Sequence, residues 1–142
     1  MLRIYNSNFR TNQQRLIAAT LIGGVAAIVS ATILAFFCTQ IGLFNTIFDI
    51  AIAYIVSFAI KEYAHCIDDK VLIIGGLWCL LGMVFYEYLM IFGFTLFPLI
   101  HAPFELFKLM FTMWFNVSLN GLLGLVIRGL GIYYGAYNSK AI

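Results

Sequence analysis

Charge is what this sequence has least of. Asp, Glu, Lys and Arg make up 10% of its 142 residues, against about 25% in an ordinary soluble domain. Apolar residues make up 63%. A compact soluble domain of this size buries about 68–70% of the surface its unfolded chain exposes, which leaves too much hydrocarbon for so few charges to cover. A soluble enzyme is therefore not expected. Disorder is excluded from the opposite side, because 14 Phe and 8 Tyr exceed what a solvated coil tolerates.

The motifs of common chemistries are also missing. Cys38, Cys66 and Cys79 are far apart and form neither a C-x-x-C pair nor a zinc spacing, so free structural thiols are expected. There is no Ser/His/Asp order, no phosphate-cradling glycine loop and no basic patch for nucleic acid; the glycines fall inside apolar runs. Between Lys61 and Lys70 the chain gathers His65, Cys66, Asp68 and Asp69, which reads as a solvated connection with an Asp capping the next helix rather than a metal site. His101 and Glu105, with Glu87 nearby, invite a metal or proton-relay reading, but Pro103 between them spoils helical i, i+4 geometry. No catalytic residue, metal or cofactor is expected.

What is there is a set of long apolar runs. Stretches near 16–37, 44–60, 71–92 and 110–134 are each long enough to cross about 30 Å of hydrocarbon at 1.5 Å per residue. The first carries no charge over about 22 residues, too long for a signal-peptide core, and reads as a retained span. The expected fold is an all-α integral membrane protein, one domain over 1–142 with four transmembrane helices. Arg3, Arg10, Arg15, Lys61, Lys70, Arg128 and Lys140 flank one side of these spans and only Lys108 the other, so both termini are expected in the cytoplasm. Tyr63, Tyr133, Tyr134 and Tyr137 then mark the inner interface, and Tyr86, Tyr88 and Phe92 the outer one. The outer connection at 93–109 is too apolar for a solvated loop and suits a short interfacial helix starting at Pro103, or a re-entrant segment.

In lipid, helices associate through small residues that let backbones approach. Ala19, Gly23, Ala27, Ala31 and Ala35 repeat at every fourth position of the first span. Gly75, Cys79 and Gly82 share a face of the third, and Gly121, Gly124, Arg128, Gly131 and Gly135 follow a 3-4-3-4 seam in the fourth. Arg128 inside that seam is expected to face protein. It lies about 13 Å above Tyr137, and Asp49 about 18 Å above Lys61, a difference within an arginine's reach. An intramembrane pair of Asp49 and Arg128 is one expectation; the other is that both snorkel to opposite headgroup layers. Glu87 is about 25 Å above Lys70, which places it near the outer surface in water. Asn116, Ser118 and Asn120 read as an interhelical hydrogen-bonding cluster.

These features suggest a non-enzymatic membrane protein that works by helix association, as an accessory subunit or as an assembly or regulatory partner of a larger complex. Its partners would be the bilayer and other membrane chains or its own copies, and no nucleic acid. The docking faces would be the stripes of the first and fourth spans. The alternative is a homo-oligomeric transporter or channel using Asp49 and Arg128. A bacterial cytoplasmic membrane is the expected location, with an organellar inner membrane as the alternative.

Overall fold

The computed structural model describes residues 11–43, 45–95, 97–116 and 118–140, and every element among them is helical. Arg3, Arg10 and the expected start of the second span at Phe44 lie outside the described residues. Helix α1 runs Asn12–Ile41, longer at both ends than its apolar run. The reason is its caps: the Thr11 hydroxyl accepts from the Gln14 N–H while the Gln14 side chain answers back, and Gly42 at φ 70° closes the other end in the left-handed region that glycine adopts without strain. Helix α2 is Ile47–Ala64, opened by the Asn45 side chain accepting from the Ile47 N–H at 3.0 Å. Helix α3 is Lys70–Phe92, and Asp68 accepts from the Lys70 N–H at 3.0 Å. The short α4, Phe97–His101, leads into α5, Pro103–Trp114, with Pro103 in the first turn, where its missing N–H costs nothing.

The fourth apolar stretch is not one helix. The expected span at 110–134 is broken, and α6, Leu119–Asn138, leaves the direction of α5 by 108°. Side-chain chemistry overrides hydropathy here. The Asn116 carbonyl accepts from the Ser118 N–H at 2.8 Å, and the Ser118 hydroxyl accepts from the Gly121 N–H at 3.1 Å, so Ser118 starts a new helix. Gly121 makes room for the turn, since a Cβ there would collide with the Asn116 carbonyl. Asn116, Ser118 and Asn120 are exposed, and their expected interhelical role gives way to this break and cap. By length and composition α1 and α3 qualify as membrane-crossing helices, while α5 and α6 qualify only when taken together across the bend.

Helices α2 and α3 lie side by side, and each packs against both α1 and α6. The stripe Ala19, Gly23, Ala27, Ala31, Ala35 is buried against α2 and α3 within the same chain. A Cβ on Gly23 would stand 2.7 Å from the Trp78 ring and 2.9 Å from Ile60 Cδ1. Among the described residues the centre of the bundle thus holds many small side chains, while Leu21, Val25, Phe36, Leu122, Val126 and Leu130 face outward. That inversion suits a solvent of lipid, where hiding large hydrocarbon groups gains nothing and close backbone approach does. Tyr86 and Tyr88, expected at the outer interface, are buried in the bundle, Tyr86 donating to Cys38 Sγ at 3.4 Å and Tyr88 to the Thr95 carbonyl at 2.5 Å. At the other end of the bundle Lys140 Nζ donates to Asp69 at 2.5 Å, and that hydrogen bond raises the ammonium above its ordinary pKa.

Candidate functional site

The charged groups inside the bundle meet at one place. Arg128, in mid-α6, donates from Nε to Asp49 Oδ2 at 3.1 Å and from Nη2 to Glu87 Oε1. Trp114, the last residue of α5, donates its indole N–H to the other oxygen of Glu87. The guanidinium carbon lies 4.8 Å from the centre of the Trp114 ring, within cation–π range. Three helices of the bundle and α5 therefore converge through four side chains.

Local structure explains the convergence. Asp49 sits in the first turn of α2, where the positive end of the helix dipole favours a carboxylate. The glycine seam of α6 lets that helix approach closely enough for Arg128 to reach it. A Cβ on Gly131 would stand 2.8 Å from Met83 Cε and 3.8 Å from Ile50 Cα, and one on Gly124 would press on Arg128 Nη1 at 3.3 Å. Gly135 continues the seam against Cys79 and Ala53.

The structure thus brings Asp49 and Arg128 together and adds two residues that the sequence reading left out. Glu87 is not in water; it is buried against Arg128 and Trp114. Axial rise gives a residue's height but not its direction, and the direction was available in the pattern: Glu87 follows Gly75, Cys79 and Met83 in steps of four on one buried face. Trp114 was missed because it reaches the site only through the break after α5. His101 and Glu105 are exposed, on α4 and α5, and Glu87 is hydrogen-bonded to Arg128 and Trp114. Among the described residues no group of three His, Cys, Asp or Glu is placed to hold a metal ion.

Two acidic side chains face one guanidinium, and the amino end of α2 adds about half a positive charge. Among the described residues Asp49 Oδ1 is buried without a hydrogen-bond partner. An ionised group left this way is costly unless a proton or another cation joins it. Comparisons with protein-family models, curated proteins and solved structures give no match for this chain.

Proposed function

We propose that the protein is a small membrane carrier whose Asp49–Glu87–Arg128 cluster takes up one positive charge. In this reading α1, α2, α3 and α6 cross the bilayer with both termini in the cytoplasm, and α4 and α5 lie across the outer ends. At 18 and 20 residues, α2 and α6 extend about 27 Å and 30 Å, α2 a little short of the hydrocarbon layer and α6 matching it. A reporter enzyme active only in the cytoplasm, fused after the last residue, is expected to be active; one active only outside would reverse the orientation.

The observation that carries the reading is the excess carboxylate. A structural ion pair needs one acid per arginine, whereas this cluster holds two, and intramembrane ionisable groups that exceed their partners mark ion and proton routes. The α1 stripe, with Gly131 and Gly135 of the α6 seam, packs against the chain's own helices, so the carrier reading does not rely on them as docking faces. The centre also needs no second copy, since all four side chains come from one chain.

The test is charge displacement by proteoliposomes adsorbed on a solid-supported membrane, stepped in pH or in sodium. The native protein is expected to displace charge on at least one step. Asp49→Asn removes the excess charge and is expected to abolish the signal. No displacement by the native protein, or equal displacement by the variant, would sink the proposal.

A further inference from the structure

Three of the four carboxylate oxygens in the cluster already accept a hydrogen bond. Glu87 Oε1 accepts from Arg128 Nη2, Glu87 Oε2 accepts from the Trp114 indole, and Asp49 Oδ2 accepts from Arg128 Nε at 3.1 Å. Among the described residues Asp49 Oδ1 accepts nothing, although its residue is 0% exposed. That oxygen is the one open to a newcomer.

The donor set decides what the newcomer can be. Hard metal cations are held by several oxygens at once, and here a sodium ion would meet a single free carboxylate oxygen, with the guanidinium on the other oxygen of the same group. A proton needs one oxygen. On Glu87 it would set an O–H against the N–H of Arg128 or Trp114, whereas Oδ1 has no N–H aimed at it. The neighbouring helices offer few other places for it. Cys38 of α1 and Tyr86 of α3 are already joined, the Tyr86 hydroxyl donating to Cys38 Sγ at 3.4 Å; α5 brings only the indole, and Arg128 of α6 keeps its charge throughout.

We propose that the charge taken up by the cluster is a proton and that Asp49 Oδ1 is the atom that receives it. The step is a transfer from hydronium: an O–H bond forms on Asp49, one breaks in the hydronium ion, and water leaves. Arg128 then keeps Glu87 as its charged partner, and its bond to Asp49 Oδ2 weakens to one with a neutral acceptor. Protonation thus loosens the tie between α2 and α6 and spares the tie between α3 and α6. A carrier can use that change in helix pairing. This inference rests on the carrier reading and names the charge carried.

The experiment is infrared difference spectroscopy of the full chain in phosphatidylcholine vesicles, taken between alkaline and acid buffer. Acid is expected to bring up the carbonyl stretch of a protonated carboxyl shielded from water. Protein grown on aspartate with heavy carbon in its side-chain carboxyl is expected to shift that band down, and labelled glutamate to leave it in place. Asp49→Asn, checked for folding by thermal melting, is expected to lose the band, and the double variant Asp68→Asn, Asp69→Asn to keep it. No such band, a band that moves only with labelled glutamate, or a full band in folded Asp49→Asn would overturn the inference. On the supported membrane the native protein is expected to respond to a pH step in sodium-free buffer and not to a sodium step at fixed pH. Displacement on the sodium step would overturn the proton and leave the carrier; a labelled-aspartate band without displacement on either step would leave the proton site and overturn the carrier.

Discussion

Arg128→Met is expected to leave little folded protein. The substitution keeps most of the side chain's length but leaves Asp49 and Glu87, both buried, without the cation they share. Removing one partner of a buried ion pair costs about 3–5 kcal/mol, and here one removal strands two acids. The revealing comparison is the triple variant Asp49→Asn, Glu87→Gln, Arg128→Met. It removes all three charges at once, and such neutral replacements are commonly no less stable than the ionic original. Its melting temperature, read by size-exclusion chromatography of heated samples, is expected to return close to that of the native protein. If the triple variant stays unfolded, the arginine's main contribution is its packing over Trp114 and not its charge. A folded triple variant also separates structure from activity, since it is expected to displace no charge in the supported-membrane assay.

Gly82→Leu is expected to destabilise the bundle strongly. A Cβ at this position of α3 stands 2.9 Å from Ile52 Cγ2, 3.3 Å from Ala27 Cβ and 3.6 Å from Ala27 Cα, so α1 and α2 both crowd it. Overpacking a fitted core costs about 1–3 kcal/mol, and leucine adds three further carbons beyond the one that already collides. A loss of about 3 kcal/mol or more is expected in denaturation by detergent titration. Two other glycines serve as controls. A Cβ on Gly76 meets Ala136 at 3.4 Å, an ordinary contact, and one on Gly129 meets nothing within 4 Å. Alanine at either is expected to be neutral or to stabilise by up to about 1 kcal/mol through helix propensity. Native-like stability of Gly82→Leu would mean that the three helices do not cross as described.

Much of this arrangement is legible in residue order. The α1 stripe repeats at a single spacing, and its five residues are all buried. Counting axial rise from the expected inner boundary placed Asp49 and Arg128 at compatible heights, and they are hydrogen-bonded. Three things were not legible, each for a physical reason. The break after Phe115 is invisible to hydropathy, since apolar residues continue on both sides and only the Ser118 hydroxyl marks a new start. Glu87 was placed by height alone, although its azimuth decides whether it meets water or Arg128. Whether a small-residue face meets another helix of its own chain or a partner depends on the tertiary arrangement, which residue spacing does not specify.

The length of α1 ties the bundle to the thickness of its membrane. Its uncharged part from Leu16 to Ile41 extends about 39 Å, while the hydrocarbon layer is about 30 Å. A helix that is too long tilts. Because α1 is fitted by its alanines and glycines to α2 and α3, and Arg15 Nη1 donates to the His65 carbonyl at the far end of α2, it does not tilt alone. The neighbouring helices lean with it, carrying the arginine and its two acids to a new depth. Thinner and thicker bilayers would thus present the same protein with its charges at different distances from water.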